Sequence, residues 1–161
     1  MLDALGYAPH KRRRQSIQRT VNAMSYDSDN IFAKILRDEI PSVRVYEDDA
    51  TLVFMDIMPR IPGHVLVIPK TPARNFLDAS PEQMAAVMAT AQKLSHAVMA
   101  AFSADGVTIQ QFNEAAGGQE VFHLHVHVLP RHDDVGLNPP GVMGDMDELQ
   151  ANAAKILAAL A

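Results

Sequence analysis

The run His123-Leu124-His125-Val126-His127 alternates imidazole with aliphatic side chains. Strict alternation is the period of a β-strand, whose successive side chains point to opposite faces. The run predicts a strand over Val121–Leu129, with His123, His125 and His127 on one face and Leu124, Val126 and Val128 on the other. An aliphatic face needs a core to cover it, so the chain must build a sheet that packs one side and leaves the histidines on the other. Alternate side chains on one face lie about 7 Å apart, near enough to act together on one small ligand.

The rest of the pattern supplies such a sheet. Val43–Tyr46 and Thr51–Met55 read as two strands around the acidic turn Glu47-Asp48-Asp49, and His64–Ile68 as a third, nearly all apolar and hence central. Val107–Phe112 reads as a fourth, joined to the histidine strand by the polar loop Asn113–Gln119. Three helices accompany them. Residues 28–40 read as a short one, capped by Ser28 or Asp29, with Ile31, Phe32, Ile35 and Leu36 on its apolar face and Pro41 ending it. Ser80-Pro81-Glu82-Gln83 is a capping-box start for a long helix whose stripe is Met84, Val87, Met88, Ala91, Leu94, Val98 and Phe102. Asp147–Leu160 reads as an amphipathic terminal helix, with Leu149, Ala153, Ile156, Leu157 and Leu160 on one side. Strand pairs on short turns with a long connecting helix give an α+β domain on a five-stranded antiparallel sheet.

The length of 161 residues suits one domain. The expected division is a basic extension over 1–27, the domain over 28–135, and a Pro/Gly-rich segment with the terminal helix over 136–161. Residues 1–23 carry a net charge of +4, and the body is acidic, for a total of −5. An acidic body argues against duplex nucleic-acid binding. Met24 offers an alternative start. No apolar run is long enough to suggest a membrane helix. The chain has no cysteine, which excludes disulfides, thiolate metal sites and a cysteine nucleophile, and fits a cytoplasmic location.

Three readings suit the histidine face. It is a merely polar surface, or a metal site, since imidazole ligates zinc, copper and nickel, or a centre for phosphoryl chemistry. For the last, neutral imidazole is a nucleophile near neutral pH, and a neighbouring imidazolium steadies phosphate oxygens or protonates a leaving group.

The flanks carry more. Gln119-Glu120-Val121-Phe122 before the run and Val128-Leu129-Pro130-Arg131 after it resemble the signature of the histidine triad family. So do Ile31-Phe32-Ala33-Lys34-Ile35, Glu39-Ile40-Pro41, Asp56-Ile57, Pro62-Gly63-His64 with the Val65–Lys70 segment, and Asn113-Glu114. The likeness covers about residues 29–132 and is greatest to the Hint-like branch. It implies a homodimer whose sheets join into one. It also implies attack by His125 on the α-phosphorus of a purine nucleotide, a phosphoramidate or adenylate, to give a nucleotidyl-histidine that water releases as nucleoside monophosphate. His123 and His127 would orient the nucleophile and attend the phosphate, His64 would support them, and no metal or other cofactor is required. Asp56 would hold the ribose hydroxyls. Ile31, Phe32, Ile35, Phe54, Ile57 and Leu66 would line the base pocket, and Asn113, Gln119, Glu120 and the Gly117-Gly118 backbone would lie near the phosphate. Dinucleoside polyphosphate hydrolysis and nucleotide binding with little turnover are the alternatives.

Two departures stand out. Relatives that bind structural zinc carry a Cys-x-x-Cys pair and a histidine where this chain has Asn30, Ala33 and Pro72, so that zinc site is not expected. Glu120 replaces the serine or threonine of the Hint branch. Its charge would repel a polyphosphate and favour an amine leaving group, provided a kink before the strand turns it toward the histidines.

Overall fold

The computed structural model describes residues 25–161; the basic run Lys11-Arg12-Arg13-Arg14 and Met24 lie outside them. The elements in chain order are α1 (Ile31–Leu36), β1 (Arg44–Glu47), β2 (Thr51–Met55), β3 (Val65–Pro69), α2 (Pro81–Phe102), β4 (Gly106–Gln110), β5 (Val126–Arg131) and α3 (Met146–Leu160). The strands form one five-stranded antiparallel sheet, as the sequence pattern anticipates, and their order is β1-β2-β3-β5-β4. No helix among the described residues is long and apolar enough to cross a membrane.

The sheet has two different faces. Val53, Met55, Val65, Val67, Leu124, Val126 and Val128 meet Val87, Ala91, Leu94 and Val98 of α2 in the larger core. Leu149, Ala153 and Ile156 of α3 complete it, so the terminal helix belongs to the same packed body as the sheet. The opposite face carries a smaller cluster, Phe32 and Ile35 of α1 with Leu52, Phe54, Leu66 and Ile68.

The structure corrects several boundaries. Asn30, not Ser28 or Asp29, caps α1, its Oδ1 accepting the N–H groups of Phe32 and Ala33 at 3.0 and 2.9 Å. That helix stops at Leu36 because Asp38 turns to φ 60°, in the left-handed region. The capping box of α2 forms as expected. The face of α2 drifts from its sequence stripe, however: Thr90 and Ala97 are buried and Met88 is 44% exposed. In α3, Asn152 is buried and Leu157 faces out. The largest difference is β5, which begins at Val126 rather than Val121. Ahead of it the Leu124 N–H donates to the Ala73 carbonyl (2.7 Å), and side-chain hydrogen bonds replace the ladder.

Candidate functional site

All three histidines of the run lie on the α1 face, and Leu124, Val126 and Val128 lie in the core behind, as alternation requires. Only His127 sits in the strand, opposite Leu66 of β3 and Gln110 of β4. His123 and His125 reach the same face through the bend before it. His64, immediately ahead of β3, joins them: the rings of His64 and His127, and of His127 and His125, have centroids 5.1 Å apart.

Hydrogen-bond partners fix the proton on each ring. The backbone N–H of Arg60 donates to His64 Nδ1 (3.2 Å), which leaves the proton of a neutral His64 on Nε2. That N–H donates to His127 Nδ1 (2.9 Å), so neutral His127 carries its own proton on Nε2. His125 Nδ1 lies 2.6 Å from the His123 carbonyl oxygen, which only accepts, so Nδ1 is protonated and Nε2 keeps its lone pair. His123 Nε2 lies 2.9 Å from the Pro69 carbonyl and donates to it. The site thus offers one free nucleophilic nitrogen, on His125, beside one N–H donor, on His127.

Burial holds these rings neutral. It lowers His64 and His127 to about 3 and His123 to about 4, and lowers His125 as well. Asp56 moves the other way, its carboxyl raised by burial and by the negative charge of Glu120. Its Oδ1 accepts the Met58 N–H (2.9 Å), and its Oδ2 lies 3.5 Å from His64 Nδ1 and 3.8 Å from His127 Nδ1. Among the described residues, the donor atoms of Asp56, His64 and His127 converge within 4.8 Å and are the set that can hold a metal ion. The positions of the family's structural zinc do not fit one: Asn30 is committed to the helix cap, and Ala33 and Pro72 have no side-chain donor.

Phe32, Ile35, Phe54 and Leu66 form one buried apolar wall, with the Phe32 ring edge-on to His125 at 5.1 Å. Ile31 and Ile57 are 40% and 38% exposed. A cavity of about 430 Å³ opens between residues 25–31 and 120–122, with Ile31, Arg74, Glu120 and Phe122 in its lining.

The loop before the histidines is held by motif residues together with Arg74 and Asn75, which carry no signal in the sequence. Arg74 forms a two-point ion pair with Glu114 and stacks on Phe122 (4.5 Å). Asn75 Nδ2 donates to Glu114 (2.9 Å) and to Gln119 Oε1 (3.0 Å). Gln119 is buried with its amide filled, Oε1 also accepting the Glu114 N–H and Nε2 donating to the carbonyls of Arg74 and Val121. These ties hold Glu114 at φ 63°, ψ 159°, a conformation side chains rarely adopt. Asn113 Oδ1 accepts the Phe76 N–H (3.0 Å). Gly118, at φ 90°, ends the turn Ala115–Gly117. Glu120 is exposed at the foot of the bend that carries the chain to His123. Tyr26, Arg60, Arg74 and Asn75 are the site residues that periodicity and motif do not reveal.

A profile of the HIT domain matches residues 37–134. The chain is 54% identical to a HIT-like protein of Bartonella henselae involved in cell-cycle regulation, whose crystal structure holds an unknown ligand. That likeness covers 84% of this chain and 98% of the other, with a TM-score of 0.81. An uncharacterised HIT-like protein of Borreliella burgdorferi is 42% identical over 110 residues, covering 67% of this chain and 79% of its own length. The adenylylsulfatase HINT3 of Arabidopsis thaliana is 34% identical over 113 residues, 70% of this chain and 57% of that protein.

Proposed function

The chain belongs to the HIT-domain family, and on that premise we propose that it is a nucleotide hydrolase whose His125 attacks the α-phosphorus of a purine nucleoside phosphoramidate or related adenylate. One observation carries the reading: His125 Nε2 has its lone pair free while Nδ1–H is held by the His123 carbonyl at 2.6 Å. An adenylate substrate agrees with the adenylylsulfatase activity in the name of the HINT3 relative.

The proposed sequence has two halves. A phosphate anion in the site offsets the desolvation that keeps His127 neutral, so as the substrate binds the His64 Nε2 proton passes to His127 Nδ1 and the proton taken up goes to His64 Nδ1, 3.5 Å from Asp56 Oδ2. His125 Nε2 bonds to phosphorus, the bond to the leaving nitrogen breaks, and His127 gives that nitrogen its Nε2 proton. Water then attacks phosphorus and returns a proton to His127; the phosphorus–histidine bond breaks and the nucleoside monophosphate leaves. Asp56 accepts from the ribose hydroxyls, and the wall of Phe32, Ile35, Phe54 and Leu66, with Ile31 and Ile57 at its rim, takes the base. Asn113 and the Gly117-Gly118 backbone lie toward the phosphate, and Gln119 serves through the loop it ties. We further propose a dimer joined through β4, one of the two edge strands of the sheet among the described residues and the one beside the histidine strand, with Ile109 42% exposed on it.

The test is amine release from an adenosine phosphoramidate by metal-free protein, beside His125→Ala. Release by the wild type, lost by at least about a thousandfold in the variant with adenosine monophosphate binding retained, is the expected result. Binding without release from this substrate or from a dinucleoside polyphosphate would sink the hydrolase reading.

A further inference from the structure

We propose that Tyr26 is a positioning residue for the nucleophile, acting through its hydrogen bond to the ring of His123; the inference rests on His125 being the attacking group. The Tyr26 hydroxyl lies 2.5 Å from His123 Nδ1, and the two rings meet edge-on with centroids 5.6 Å apart. Because the Pro69 carbonyl takes the Nε2 proton of His123, the Nδ1 of this ring has a lone pair and the phenol donates to it.

Both ring nitrogens of His123 are therefore filled, and the side chain is fully buried. The ring has no atom left for a phosphate oxygen. What His123 gives the reaction is its backbone carbonyl, which holds the Nδ1–H of His125 and aims Nε2 outward. That carbonyl lies in the bend before β5, where no strand ladder fixes it. Its place is set by the Leu124 N–H of the same peptide, which donates to the Ala73 carbonyl (2.7 Å), and by where the His123 ring is pinned, with Pro69 on one side and Tyr26 on the other. Tyr26 is itself delivered by the turn ahead of α1, where the Asp27 carbonyl accepts from the Asn30 side chain (2.6 Å). A hydroxyl outside the family's histidine motif is thus linked by two hydrogen bonds, through the side chain and the carbonyl of His123, to the ring of the attacking histidine.

The test is Tyr26→Phe, which keeps the ring packing and removes only the donor, followed by kcat, KM and the ¹⁵N signals of the histidine rings. The expected result is a kcat reduced roughly tenfold to a hundredfold, the scale of a slightly misplaced reacting group. KM should stay within about twofold, and the His123 Nδ1 signal should move to that of an acceptor without a partner. Asn30→Ala, which loosens the same turn without touching His123, separates a specific bond from general ordering. Wild-type kcat in Tyr26→Phe, or an equal kcat loss in Asn30→Ala with the His123 signal unmoved, overturns the inference. A wild type that turns over none of the nucleotides tested fails the hydrolase reading instead. The Nδ1 signal then decides alone whether Tyr26 pins His123, and an unmoved signal overturns the inference there too.

Discussion

Glu120 acts on the site without touching the histidines. It is exposed, yet its negative charge adds to burial in raising the carboxyl of Asp56, so it lies within electrostatic reach of the proposed nucleotide site. The bend at residues 121–123 interrupts strict strand alternation ahead of the histidines. In the proposed reaction, a second carboxylate near the scissile bond would penalise a leaving group that is itself an anion more than one that leaves as an amine. Glu120→Ser should therefore raise kcat/KM for a dinucleoside polyphosphate relative to a phosphoramidate by roughly threefold to tenfold at low salt, the scale of one partly screened charge. Parallel assays at two ionic strengths check it; an unchanged ratio removes Glu120 from substrate choice. At this scale the positions of the histidines were legible in the sequence, because alternation needs only one strand period. Their proton positions were not, because the Arg60 N–H and the carbonyls of Pro69 and His123 that set them are backbone groups brought in from elsewhere in the fold.

Where an element ends decides where a side chain of the proposed site sits, and His64 shows it. The residue before it, Gly63, adopts φ 88° between the turn at Ile61 and the start of β3, and the Phe102 ring at the end of α2 packs directly over its Cα. A Cβ at Gly63 would fall inside that ring, in a backbone conformation that side chains avoid. Gly63→Ala should cost about 2–4 kcal/mol from combined strain and overpacking. Thermal unfolding would show this as a melting temperature lower by roughly 5–15 °C, and a melting temperature within about 2 °C of wild type would contradict this account of the turn. The pairing of Pro62-Gly63 with His64 is visible in the sequence; its contact with Phe102, thirty-nine residues on, is not. The same limit explains the late start of β5. Alternation correctly assigned the faces of residues 123–128, but it could not show that Ala73, Pro69 and Gln119 take the hydrogen bonds that strand pairing would otherwise make. Likewise the expected caps Ser28 and Asp29 stand directly before Asn30, and only the turn at Asp27 selects Asn30.

The whole molecule separates a packed face, where α2 and α3 cover the aliphatic side of the sheet, from a histidine face that buries His64, His123 and His125 and half-buries His127 beneath α1 and the loop at residues 113–122. That separation gives stability a pH dependence whose sign follows from the shifts. In the unfolded chain a histidine takes up its proton near 6.5. In the folded protein His123 stays neutral to about 4 and His64 and His127 to about 3, and His125 is also lowered. Between these limits the unfolded state binds more protons. The contribution of the buried rings is therefore fully present above about 6.5 and is lost as pH falls through the window, by at most about 1.4 kcal/mol per pH unit for each ring. Asp56 opposes them: its raised carboxyl stabilises the fold at acid pH and loses that contribution as pH rises. It is one group against four. Glu114, held down to about 2 by Arg74, adds to the acid loss below the ordinary carboxylate range. The melting temperature should accordingly fall from pH 7 to pH 5, and His64→Gln should fall less steeply than wild type, by up to one proton's worth of slope. Calorimetric scans of both proteins at pH 5, 6 and 7 measure this. A wild-type melting temperature that is flat across that range would mean that the four rings do not enter the folded state neutral, and with it would go the proton assignment that leaves His125 Nε2 free to attack.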